Sequence, residues 1–190
     1  NRAHNDGGGA YASTLWNSTL RGNSAGQYGG GAHSIMLCNC TLTGNSARWG
    51  GGAAGGYGSV CLLYNCIVYH NQAPIGPNYH DSTVNYSCIT PLPLDGVGNL
   101  AADPQLASWT HLSAVSPCIG AGSALYATGV DIDGEPWGTP PCMGADQLTP
   151  GAATGPLSVE LETDFTNVTV GFAASFRASV EGQTTGNTWD

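Results

Sequence analysis

The stretch Asp131-Ile132-Asp133-Gly134-Glu135 sets three carboxylates within five residues around a glycine. Carboxylates spaced this closely offer the hard oxygen ligands that calcium takes, although the twelve-residue loop of an EF-hand is missing. The same Asp131, Asp133 and Glu135 also make a polar turn that fixes its own backbone, and this reading is favoured. Calcium is the only cofactor the sequence raises.

Aromatic side chains are the second chemical resource. Trp16, Tyr28, Trp49, Tyr57, Tyr64 and Tyr69 recur along the first seventy residues. Rings lining one face would stack on sugars, with Trp16, Trp49 and Tyr57 as the contact candidates. Packing against neighbouring segments is the competing reading. The five histidines, His4, His33, His70, His80 and His111, lie in turns or near Gly and Pro and share no column of any repeat.

Catalysis would need more. Polysaccharide hydrolysis requires two carboxylates at a defined separation, and lyase chemistry a basic residue beside calcium-binding carboxylates. Residues 1–80 hold Asp6 as their only carboxylate, with Arg2, Arg21 and Arg48 scattered among them. The expectation is a protein without catalytic residues in this stretch.

Seven cysteines are an odd number. Cys40, Cys66 and Cys88 are expected to share one column with Ser18, as stacked thiols in the core or as bridges between coils. Cys118 and Cys142, each following a proline, are the expected disulfide. Cys38-x-Cys40 and Cys61-x4-Cys66 lack the paired spacing of structural zinc sites.

These residues are positioned by a repeat. Asn1, Asn23 and Asn45 stand 22 residues apart and open the phrases NRAHNDGGGA, NSAGQYGGGA and NSARWGGGA, with Asn71 opening a looser copy. A second column runs through Asn17, Asn39 and Asn65, with Asn85 as its weaker fourth member. A fixed period of this length signals a solenoid in which each repeat is one coil. Short alternating runs such as Ser34-Ile35-Met36-Leu37 and Cys40-Thr41-Leu42, bounded by Gly and Asn, suit strands and are too short for helices. The expected fold is all-β: a right-handed parallel β-helix of about 22 residues per coil, followed by a partial antiparallel β-sandwich. Leu20, Leu42 and Val68 form one inward column, and Leu15, Leu37 and Leu63 another. Both Asn columns read as structural ladders, since each amide carries two donors and an acceptor and tolerates left-handed turns. The unit from Asn45 to Asn71 is 26 residues long, the extra residues lying around Tyr57. Insertions in solenoids map to loops on one face.

Beyond Cys88 the repeat dissolves. Residues 1–90 are expected to be coils and 91–148 a C-terminal cap. The run GNLAADPQLASWTHLSAVSPCIGAG followed by GVDIDGEPWGTPPCMGADQ carries Asp103-Pro104, Ser116-Pro117-Cys118-Ile119, Asp131-Ile132-Asp133-Gly134 and Met143-Gly144-Ala145 in order over about fifty residues. It resembles the C-terminal end of bacterial parallel β-helix proteins with a choice-of-anchor terminal domain. Gly120 and Trp137 depart from that pattern, where Asp and Arg are usual. The resemblance implies large extracellular bacterial proteins, often anchored, and no single activity. Residues 149–157 read as a Pro, Gly, Ala and Thr linker. Alternation at Val159–Glu162 and Val168–Val170 then suggests antiparallel strands. With Thr188-Trp189-Asp190, residues 158–190 resemble the opening third of a PKD-type immunoglobulin-like domain. Because Asn1 already falls inside a repeat phrase, a longer parent chain is expected.

Charge narrows the partners. Lysine is absent, charged residues are 9% of the chain, and the net charge is −9. Such a surface repels phosphate backbones, so nucleic acid is an unsuitable partner, and no apolar run is long enough to cross a bilayer. The expected function is therefore a non-catalytic structural or adhesive protein of the bacterial cell surface. Self-association, as a head-to-tail fibre through strand donation or end stacking, is the expected partnership. A carbohydrate-binding module, or a fragment of a lyase-like or hydrolase-like β-helix protein, is the alternative.

Overall fold

The structure is a computed structural model that describes residues 1–149 together with the backbone strands Ser158–Thr163 and Phe176–Glu181. Residues 1–90 wind into a β-solenoid of about four turns. The longest strands, Thr14–Arg21 and Met36–Thr43, lie side by side in parallel register, Leu15 on Leu37 and Leu20 on Leu42. In the third coil the same face is carried by Cys61–Tyr64 and Ile67–Tyr69, in the fourth by Ser82–Asn85 and Cys88–Ile89. A second face stacks Ala10–Tyr11, Ala32–His33, Ala53–Ala54 and Tyr79–His80. The third pairs Arg2–Ala3 with Ser24–Ala25 and continues through single bridges from Ser24 to Ser46 to Gln72.

Left-handed corners close each coil. Gly7, Gly29, Gly50 and Gly76 form one corner column with φ between 60° and 65°. Asn17, Asn39 and Asn65 form another, at φ 49–53°, and asparagine bears this geometry at lower cost than most residues with a Cβ. The Gly triplets also answer to the ladder across the coil. A Cβ on Gly31 would lie 2.6 Å from the Gly52 carbonyl oxygen and 3.1 Å from Nδ2 of Asn45.

The two Asn columns are hydrogen-bonded ladders. In the first, the Asn23 backbone N–H and Nδ2 both donate to Oδ1 of Asn45, at 2.9 and 3.0 Å. Asn45 repeats the pattern onto Asn71, and Asn71 onto Asn78, whose Nδ2 donates to Thr90. Asn78, which lies outside the repeat phrase, is thus the last asparagine rung. In the second ladder the amides donate in the opposite direction along the axis, Asn65 to Asn39 and Asn39 to Asn17.

Leu37, Leu63 and Val84 form one core column, and Leu20, Leu42, Val68 and Ile89 the other. Two expected columns need correction in the fourth coil. Tyr64 pairs with Asn85, so Tyr86 takes the left-handed corner at φ 49° and Asn85 is not a rung. For the same reason Ser87 follows Cys66, while Cys88 lies beside Ile67. A shift of one residue turns a side chain to the opposite face of a strand. The column is therefore Ser18, Cys40, Cys66 and Ser87, and each side chain donates to the carbonyl two residues back, across the corner.

The strand expected at Val159–Glu162 is present. Ser158–Thr163 pairs antiparallel with Phe176–Glu181, Ser158 opposite Glu181. The linker from residue 150, the strand expected at Val168–Val170, and Thr188–Asp190 lie outside the described residues.

Asn45 is the central rung, and an alanine there leaves two buried N–H groups of Asn23 unsatisfied. Asn45→Ala should destabilise the protein by roughly 2–4 kcal/mol. Asn17→Ala, at the partly exposed first rung of the second ladder, should cost less than about 1.5 kcal/mol. Urea unfolding of the two variants beside the wild type measures both.

Candidate functional site

The distinctive surface is built where the chain doubles back. After the fourth coil, residues 118–147 return along the flank that carries the second Asn ladder. Asn65 Nδ2 donates to the Ser123 carbonyl at 2.8 Å and its Oδ1 accepts from the Ser123 N–H at 2.7 Å. Asn39 Nδ2 reaches the Tyr126 carbonyl at 2.7 Å, and Asn17 Nδ2 the carbonyls of Thr128 and Val130. One amide per coil thus both links its neighbour and holds the returning strap. The strap contains the short 3₁₀ turn Ala124–Tyr126, capped by Ser123, and its Tyr126 ring stacks on Tyr64 at 4.1 Å.

Outward-facing threonines complete the attachment. Thr41 Oγ1 accepts from the Ala145 N–H at 2.9 Å, and Thr43 Oγ1 donates to the Trp109 carbonyl at 3.2 Å. The Arg21 guanidinium lies 4.6 Å over the Trp109 ring. Beneath the strap a second apolar cluster joins Ile67 and Cys88 of the coils to Leu112, Cys118, Cys142 and Met143.

The Asp131–Glu135 stretch is a turn built around one carboxylate. Oδ1 of Asp131 accepts from the N–H groups of Asp133 and Glu135, at 2.9 and 2.8 Å, and Oδ2 accepts from Gln147 at 2.9 Å. Both oxygens of buried Asp131 thus bind backbone, which is the favoured turn reading. The Asp133 carboxylate points elsewhere, with Oδ2 3.1 Å from His111 Nε2.

His111 Nδ1 lies 2.9 Å from both Ser108 Oγ and Thr110 Oγ1. Hydroxyl, imidazole and carboxylate are therefore in line, an arrangement the sequence did not show. Ser108 Oγ also accepts from the N–H groups of Thr110 and His111, at 3.3 and 3.2 Å, so the hydroxyl closes a local turn. A cleft of about 590 Å³ beside it is lined by His70, Gln72, Asp103, Gln105, Leu106 and Trp109 among others.

The sugar-contact candidates separate. Trp16 shares a column with Cys38 and Tyr64 on the strap side. Trp49 and Tyr57 meet on another flank through Tyr28, which stacks on Trp49 at 4.9 Å and meets Tyr57 edge-on at 5.1 Å. The Arg48 guanidinium sits 4.3 Å over Trp49, so Tyr28 and Arg48 both lie on that ring. Tyr57, on the insertion, is 77% exposed and its hydroxyl donates to Gln27; Tyr11, stacked on His33, is 59% exposed. His33 and His80 do share a column, together with Tyr11 and Ala54, contrary to the expectation from sequence. His33 is buried, and its Nδ1 has no hydrogen-bond partner among the described residues.

All seven cysteines are buried thiols. The expected Cys118–Cys142 bridge is not formed. Cys118 instead lies in one apolar cluster with Cys88, whose thiol donates to the Ala102 carbonyl at 3.2 Å, and the interaction of the two thiols lowers the pKa of Cys118 and raises that of Cys88. The pairing follows from the register of the fourth coil, which turns Cys88 outward under the strap. Within the coils, burial pushes Cys61 up to about 11 and Cys38 up to about 12.

Fold and site together define a β-solenoid of about 22 residues per turn, flanked by a strap from its own C-terminal part. No protein-family model, curated protein or solved structure matches the chain, and no family match supports the choice-of-anchor or PKD resemblance.

Two outcomes follow. Asn65→Ala should loosen the strap, so limited proteolysis should cut between residues 118 and 130 at least tenfold faster than in wild type. The thiols give a pH dependence. Below pH 9 folded and unfolded chains both keep their thiol protons; above it the unfolded chain releases them first. Stability should therefore fall from about pH 9 to pH 11–12, the range set by Cys61 and Cys38, with roughly 2–3 kcal/mol from Cys61 alone. Melting at pH 7 and pH 11 checks the sign, and Cys61→Val should show a smaller drop.

Proposed function

We propose that this chain is a non-catalytic structural element of a bacterial cell exterior, a stiff solenoid whose strap locks its coils in register. One observation carries the reading: the amides of both Asn columns bind the next coil or the strap, so the repeated polar groups of the coils act along the axis. A rod of this kind holds other parts of a surface protein apart. On this reading residues 98–147 serve as a choice-of-anchor-like end and residues 158–190 open a PKD-like domain. Parallel coil edges also suit self-association by end stacking or strand donation.

A second reading is adhesion to polysaccharide. It is favoured by Tyr57 and Tyr11, two exposed rings on the flank that also carries Tyr28 and Gln27. Sugar rings stack on such faces while hydroxyls and amides take the polar edges.

Two measurements on the native protein test these readings. Antibody against residues 1–149 should label unpermeabilised cells of the source, and a polysaccharide panel should yield neither reducing ends nor unsaturated products. Labelling only after permeabilisation, or product above the buffer level, overturns the structural reading. Glycan-array binding that drops at least tenfold in Tyr57→Ala supports adhesion; no binding to any glycan removes it.

A further inference from the structure

We propose that His111, Asp133 and Asp146 form a binding site for a divalent transition-metal ion, with zinc the best match to the donor set. One ligand atom from each lies within 4.8 Å of the other two. These residues are far apart in sequence, and the strap's turns bring them together. The site shares only Asp133 with the Asp131–Asp133–Glu135 calcium pattern, whose Asp131 has both oxygens on backbone N–H groups.

The ligands are individually held. The Asp146 side chain is buried, and its Oδ2 accepts from the Leu112 N–H at 2.8 Å, which ties it to the residue after His111. Asp133 sits at the tip of the turn that Asp131 fixes. His111 has two hydroxyls within 2.9 Å of Nδ1. When Nδ1–H donates to one of them, the Nε2 lone pair faces the carboxylates, the second-shell arrangement that metal-binding histidines use. In that tautomer a lone pair and a carboxylate oxygen 3.1 Å apart repel unless a cation lies between them.

The distances suit a small ion. Bonds of about 2.0–2.1 Å in a tetrahedral site place neighbouring ligand atoms about 3.4 Å apart. The His111–Asp133 separation is already near that value, and rotation of the more exposed Asp133 closes the remainder. One imidazole with two carboxylates favours zinc over magnesium or calcium, which take all-oxygen sets. Three protein ligands leave one position for water. The ion would clasp the segment after Trp109, the Asp131 turn and the strap's return at Asp146.

The test is calorimetric titration of Zn²⁺ into the chelator-treated full chain, with Ca²⁺ and Mg²⁺ as parallel probes. One zinc per chain is expected, with a higher melting temperature on loading. Asp133→Asn and His111→Gln should each weaken binding at least tenfold, and His80→Gln, at the His80–Asp81 contact, should leave it intact. Asp133 is exposed, so its variant keeps the fold testable, and circular dichroism confirms it. No zinc uptake by the wild type overturns the proposal and leaves a His111–Asp133 hydrogen bond. So does a zinc site that survives Asp133→Asn but is lost when the thiols are alkylated.

Discussion

The buried amide chain along the first Asn column is the constraint on which the rest depends. Each rung takes two hydrogen bonds on one carbonyl oxygen, from the backbone and the side chain of the coil before it. Parallel coils need that satisfaction, because a buried N–H without a partner costs about 1–3 kcal/mol. The ladder also dictates composition. The amides of Asn45 and Asn71 occupy the space that a Cβ at Gly31 or Gly52 would need, and the leucine columns fill the rest of the interior.

The second Asn column does different work with the same chemistry. Its donors run the opposite way along the axis, and each rung has capacity left for the strap. Binding the strap buries outward residues that would otherwise meet solvent, Thr41, Thr43 and Cys38 among them. That gives the weakly charged coils a covered flank, and the covering layer itself carries Asp131, Asp133, Glu135 and Asp146, two of which belong to the His111 cluster.

The repeat and its inward columns were legible in the sequence because stacking demands the same residue at the same corner. Asn23, Asn45 and Asn71, or Leu20, Leu42 and Val68, announce themselves by spacing. The fourth coil was misread where spacing and register part: Asn85 keeps the residue type but Tyr86 takes the corner, and Cys88 turns outward with it. The strap was not legible, since its contacts join residues as far apart as Thr41 and Ala145 and no periodicity encodes them. His111, Asp133 and Asp146 meet only through that path. The Asp131 carboxylate was visible as a turn former because its partners, Asp133 and Glu135, are local; its bond to Gln147 was not. The aromatics gave positions but not partners, so Trp16 and Trp49 looked alike in sequence and lie on different flanks.

The central claim is that the Asn45 amide is a closed link between three coils. Hydrogen exchange of its side-chain NH₂ protons, followed by NMR in the native protein, tests this directly. The account predicts exchange slowed by several orders of magnitude, in step with the backbone N–H groups of Leu37 and Leu42. Exchange at the rate of a solvent-exposed asparagine, with those backbone groups still protected, would contradict it.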